Sequence, residues 1–371
     1  SSAPYSSGEQ NVAIGYQALV AFTTAEANVA IGQNAGDAIT SGNYNVLAGR
    51  NAGGSLTTGG NNVVIGDSAL STMTQYNSHI AIGASAGSGF TAQYYSILIG
   101  YQANAASGGN YTTAIGYRAL KVNEGARNTA IGASALISNV GGDDNTAIGY
   151  SALSSNISSN NNVALGNYAG ANIIGNSNVH IGLDAGQYAS GSSNTFMGRA
   201  AGQGGTTSAP FSSGQNNTAL GYQALSGFTT AEGNVAIGYQ AGNDITTGGN
   251  NVFIGKLAGD LLTTGTNNVV VGSGALGSAD GLERENIAVG FGAAGGINND
   301  SAIRNVFIGE YAGYGGTGAL NYSVAIGYRA LDSTGDSGDA SGTVAIGYYA
   351  GAEITSGQRS TLVGYQAGDS I

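Results

Sequence analysis

The chain has 371 residues, of which 66 are glycine, only 8% are charged and none is Cys or Trp, and its formal net charge is −11. Without cysteine there are neither disulfides nor thiolate metal sites. With ten scattered Lys and Arg the chain also lacks the basic cluster that nucleic acid requires.

Hydrophobic residues make up 42% of the chain, too many for a disordered Gly/Ser/Thr/Asn polymer. No apolar stretch reaches the roughly 18 residues of a membrane span. No charged segment followed by an apolar one marks an export signal, so any such signal lies outside this sequence.

Internal repetition organises everything else. The motif Asn-Val-Ala-Ile-Gly-x-x-Ala-(Gly/Leu) recurs 21 times, with its glycine at Gly15, Gly32, Gly49 and onward to Gly347 and Gly364. Most intervals are 16 or 17 residues, and the longest, 23, separates Gly198 from Gly221. A longer period is superimposed: Ser2-Ala3-Pro4-Tyr5-Ser6-Ser7-Gly8 returns as Ser208-Ala209-Pro210-Phe211-Ser212-Ser213-Gly214. The organisation expected is therefore a module over residues 1–206 with 12 copies, continuous with a partial second module over 207–371 with 9.

Within each copy, positions are counted from the reference glycine. Position −3 is β-branched in all 21 copies and position −1 is Ile, Leu, Val or Met in 20, Ala48 being the exception. Two such side chains two residues apart predict a short strand. Position −2 is usually Ala, sometimes Phe196, Phe253 or Phe307. Both faces are therefore apolar, which predicts an interior strand with the −2 side buried against another element.

The glycine is expected where the chain turns with positive φ or passes too close to a neighbour for a Cβ. Position +3 is Ala in all 21 copies, which predicts a packed site too small for more. Segments such as Thr57-Thr58-Gly59-Gly60-Asn61 read as exposed turns at one edge.

One copy cannot close a core, so copies must stack, equivalent strands pairing in parallel at roughly 4.8 Å per step into a rod about 100 Å long. The fold class expected is all-β: a parallel β-solenoid or β-roll of 21 coils with a repeat of 16–20 residues. Position −4 is Asn in 15 of 21 copies, including Asn11, Asn28, Asn45, Asn62, Asn234, Asn251 and Asn268. Stacking predicts an asparagine ladder hydrogen-bonded along the axis.

The strings Asn11-Val12-Ala13-Ile14-Gly15, Asn234-Val235-Ala236-Ile237-Gly238 and Ser323-Val324-Ala325-Ile326-Gly327 resemble the head repeat of trimeric autotransporter adhesins, the YadA-like head. Similar repeats occur in phage tail fibres. The resemblance covers nearly the whole chain and implies a left-handed roll, three chains side by side and binding to host matrix. The chain departs from that family in its longer period and in showing neither heptad stalk nor C-terminal membrane anchor.

Chemistry-bearing residues are few. His79 and His180 occupy repeat positions otherwise held by Asn and Ala and read as local substitutions. The acid pairs Asp143-Asp144 and Glu283 with Glu285 fall in variable turns, where solvation is favoured over glycoside hydrolysis. Asp332, Asp336 and Asp339 share one loop that could offer oxygen ligands to calcium but match no calcium motif. Thr is plentiful yet falls in irregular turns or inside the strand, against an ice-binding array. No catalytic residue, metal site or cofactor is expected, and the chain is not read as an enzyme.

The best candidate binding feature is position +1, which is Tyr in nine copies: Tyr16, Tyr101, Tyr117, Tyr150, Tyr222, Tyr239, Tyr328, Tyr348 and Tyr365. If exposed, such a column offers ring faces and hydroxyls to glycans; if buried, it packs at a corner or between chains. The function expected is a structural fibre of a cell surface, virion or other extracellular appendage, presenting a repetitive face for adhesion. The alternative is a phage tail fibre recognising surface glycans. The partners expected are further copies of the chain, as a homotrimer or filament, and surface glycans or matrix proteins, without nucleic acid or membrane insertion.

Overall fold

The computed structural model describes residues 6–91, 95–106, 108–206, 211–279, 281–297, 302–315, 320–333, 340–354 and 358–369. Two compact units divide the chain, Ser1–Ser177 and Asn178–Ile371. The first holds strands β1 (Val12–Ile14) to β10 (Val163–Leu165), and the second holds β11 (Val179–Ile181) to β21 (Thr361–Val363). The sequence module boundary at residue 206 falls inside the second unit.

Every strand is three residues long and sits where the −3 to −1 pattern predicts it. Within each unit, consecutive strands pair in parallel and in strict register, Val12 with Val29 and Ala13 with Ala30 in the first, Val235 with Val252 and Ala236 with Phe253 in the second. Each unit is thus a parallel β-solenoid, and no helix occurs among the described residues.

The reference glycines carry φ between 131° and 144°. A Cβ on Gly15 would stand 2.5 Å from the carbonyl oxygen of Gly32 on the next coil. Both reasons for glycine, backbone conformation and close approach, apply at one residue.

The strand's two apolar faces are not both enclosed. Position −2 is the inward one: Ala30, Leu47, Val64, Phe253 and Phe307 have no accessible surface. Positions −3 and −1 point outward and are left half-exposed, as at Val46 (41%) and Ile254 (38%). The expectation of an interior strand is corrected accordingly. A coil this short has one strand facing inward and no second sheet to cover the other side.

The rest of the coil differs from the expected edge loops. It forms further walls bonded coil to coil: the backbone N–H of Thr40 donates to the Thr57 carbonyl (2.9 Å), and that of Asn34 to the Tyr16 carbonyl (2.8 Å). The bonding holds non-glycine residues at positive φ in recurring columns, among them Tyr44 (60°) and Asn34 (56°). Local preference disfavours that conformation by about 1 kcal/mol per residue, so stacking and not propensity enforces it.

Core volume is balanced between positions −2 and +4. A Cβ on Gly53 would meet the Leu47 side chain, one on Gly202 the Phe196 ring, and one on Gly242 or Gly259 the Phe253 ring. Where −2 is Ala, as at Ala114 and Ala130, +4 is often a buried Leu, here Leu120 and Leu136. The alternation of Gly and Leu at +4 is thus a packing rule, large against none and small against large.

The predicted ladder is present and buried. The Asn45 backbone N–H and Nδ2 both donate to Asn28 Oδ1 (2.9 and 3.0 Å), and Asn45 Nδ2 also donates to the Gly59 carbonyl (2.9 Å). In the second unit Asn251 and Asn268 repeat the pattern. Each amide thereby closes the sharp turn of the following coil while joining its own coil to the one before.

Candidate functional site: the outward β face

Side chains alternate across the strand and its flanks, so positions −5, −3, −1 and +1 line up outside while −4 and −2 point in. The two central columns carry no charge in any copy and are apolar except where column −3 is Thr, as at Thr113, Thr129 and Thr146. In the first unit they include Ile31 (44%), Val46 (41%) and Ile65 (39%); in the second, Leu220 (44%), Ile254 (38%) and Ile308 (40%). Large apolar side chains left this open, coil after coil, form a continuous patch of the kind that marks an interaction surface.

Column −5 borders the face on one side. Arg127 pairs with Asp144 (2.6 Å) and Arg304 with Glu285 (2.6 Å), each across successive coils, and Tyr95 packs near Tyr111 at 6.2 Å. The hydrogen bond from Arg127 holds the Asp144 carboxyl below its usual range.

Column +1 borders the other side and contains the predicted tyrosines. Tyr101 stacks on Tyr117 at 5.6 Å, Tyr222 on Tyr239 at 5.3 Å, and Tyr328, Tyr348 and Tyr365 form a three-ring stack at 5.2 and 5.3 Å. Tyr150 meets Tyr168 edge-on at 5.4 Å, and Tyr16 is 70% exposed. The stacked rings cover one another's faces, so inside a stack the column offers its edges and hydroxyls to a partner. Sequence reading missed Tyr168, Tyr311 and Tyr349, which sit one residue later at positive φ. The signal was an aromatic at +2, in a column that apart from Leu257 is otherwise polar or small.

Arg329 also sits at +2, with its guanidinium 5.4 Å from the Tyr311 ring centroid, 5.7 Å from Tyr328 and 6.0 Å from Tyr349. It contacts Asp332 at 3.5 Å. Burial pushes the Asp332 carboxyl up against that attraction, and desolvation pushes the Tyr328 phenol up. The node holds three coils together.

The remaining candidates are structural in placement. His79 and His180 are fully buried, edge-on to Phe90 at 5.3 Å and stacked on Phe196 at 5.2 Å, and desolvation lowers them to about 4 and about 3. Asp143 Oδ1 accepts the Ala126 N–H (2.7 Å), Asp144 binds Arg127, and Glu283 is buried with Oε2 accepting the Gly281 N–H (3.1 Å). Asp336 and Asp339 of the proposed calcium loop lie outside the described residues. No group of three or more metal-ligating side chains occurs among the described residues.

Thr23, Thr40 and Thr57 form a regular column, contrary to the expected irregularity, and their hydroxyls donate to the next coil's carbonyls at 2.9, 3.3 and 2.8 Å. Those hydroxyls serve the coil stack.

Comparison with known proteins returns no matching family model and no matching curated sequence. No described helix is long and apolar enough to cross a membrane.

Proposed function

We propose that the chain is a structural fibre protein of a cell-surface or extracellular appendage, and that its outward β face binds further copies of the same chain. The observation that carries this reading is the pair of uncharged, half-exposed columns, mostly Val and Ile with some Thr, running along each unit. A largely apolar centre between columns of Tyr, Asn, Gln and charged residues of both signs has the anatomy of a protein interface.

A second copy is the favoured occupant because its columns repeat at the same step and match coil for coil. The two central columns carry none of the chain's charge of −11, and the flanking columns hold both signs, so copies meet there without a field of one sign to keep them apart. The resemblance to adhesin head repeats supports a trimer, and exposed edges of the flanking tyrosines would then present the repetitive surface for adhesion. Nothing in this reading calls for catalysis.

Sedimentation of the purified chain tests it. The expected result is an assembly of two or more copies that becomes monomeric, with unchanged circular dichroism, when Ile31→Glu and Ile65→Glu are combined. A wild-type chain that stays monomeric at every concentration would refute it.

A further inference from the structure

We propose that Tyr328, Tyr348, Tyr349 and Tyr365 form an oxidative modification site at which a one-electron oxidant joins successive coils through dityrosine. The rings lie on three neighbouring coils: Tyr348 is stacked between Tyr328 (5.2 Å) and Tyr365 (5.3 Å), and Tyr349 lies 4.7 Å from Tyr348 and 5.5 Å from Tyr328. Tyr348 is 46% exposed and Tyr365 72%, so both residues are open to an oxidant.

Composition directs the chemistry to tyrosine. The chain has no Cys and no Trp, the side chains that would otherwise intercept an oxidising equivalent, and only two Met. Neither methionine is near this cluster in the sequence: Met73 is buried in the first unit, and Met197 ends the strand Thr195–Met197, seven strands before Val324–Ile326, the strand that leads into Tyr328. A radical formed on one phenol of the cluster therefore finds another phenol as its nearest oxidisable neighbour.

The reaction balances as follows. Each of two tyrosines gives one electron to the oxidant, of the peroxidase-ferryl or photogenerated metal-complex class, and its phenolic proton to water. The two phenoxyl radicals couple at ring carbons ortho to oxygen, forming one C–C bond. The two ortho hydrogens then move to the phenolic oxygens as the rings regain aromaticity. Two phenols have lost two electrons and two protons, and two coils held by hydrogen bonds and packing are covalently joined. The step needs a single copy of the chain and does not depend on self-association.

Illumination of the full chain with tris(bipyridyl)ruthenium(II) and persulfate, followed by dityrosine fluorescence and mapping of linked peptides, tests the proposal. Links within the cluster are expected several-fold above links at Tyr101–Tyr117 or Tyr222–Tyr239, with a yield independent of protein concentration. Tyr348→Phe keeps the stacked ring while removing its phenol, and should abolish the links to Tyr328 and Tyr365 while sparing Tyr328–Tyr349. Links that fall as often on Tyr44 as on the cluster, form only between chains, or survive Tyr348→Phe at undiminished yield would overturn it.

Discussion

Two stretches of coil differ in one column. From Asn217 to Asn305 the ladder is unbroken, each backbone N–H donating to the previous amide at 2.9–3.1 Å even where the interval lengthens to 18 and 19 residues. From His79 to Thr112, in the other unit, the same position holds His79, Ser96 and Thr112. The strands there, Ile80–Ile82, Ile97–Ile99 and Thr113–Ile115, still pair in register. Strand and glycine therefore set the register, while the ladder satisfies buried backbone at the turn. Its loss leaves a cost at His79, where both buried ring nitrogens lack hydrogen-bond partners.

The largest effect is expected from breaking what both stretches share. Gly238→Val places a β-branched side chain at φ 138° against the carbonyl of Gly255, and should cost about 4 kcal/mol or more, read as loss of the cooperative transition in urea. Next, Phe253→Ala empties the core of the unbroken stretch at about 3–5 kcal/mol. Adding Gly259→Leu, which restores the small-against-large pairing at a position whose φ of 57° matches that of Leu225 at 55°, should recover part of the loss. A double-mutant cycle without coupling would contradict the packing rule.

The ladder itself comes third. Asn251→Ala orphans the Asn268 N–H and the Gly265 carbonyl and should cost about 2–3 kcal/mol, against about 1 for Thr112→Ala in the interrupted stretch.

The histidines give the comparison a pH axis. Unfolded, they protonate near 6.5; folded, burial holds His79 neutral to about 4 and His180 to about 3. Stability is full above pH 6.5 and falls as the unfolded chain takes up protons, through about 4 for His79 and about 3 for His180. The His79 contribution is on the order of 3 kcal/mol. His79→Asn and His180→Phe, each borrowing the residue used by sister coils, should flatten the denaturation midpoint between pH 6.5 and 4. The smallest effect belongs to Arg50→Gln: its ion pair with Asp67 is solvent-exposed, and urea titration should show no measurable change.

What the sequence disclosed was what recurs. Stacked coils give every column one environment repeated along the axis, so Asn45, Gly49, Ala52 and the strand between them could be recognised from repetition alone. The inward direction of Leu47 could not, because Val46 on its outer side is equally apolar and alternation says nothing when both faces match. Nor could the positive φ of Leu225 or Tyr349, which the neighbouring coils impose against local preference. At the candidate face the tyrosines of column +1 were visible, but their mutual stacking and the Arg329 node depend on contacts across coils, which no single copy records.

The most direct test of a chain held coil by coil is amide hydrogen exchange resolved by residue. Protection should recur once per repeat from Asn217 to Asn305, with Val235, Val252 and Val269 among the slowest amides, and should drop between His79 and Thr112. Protection without that period, or equal in the two stretches, would contradict it.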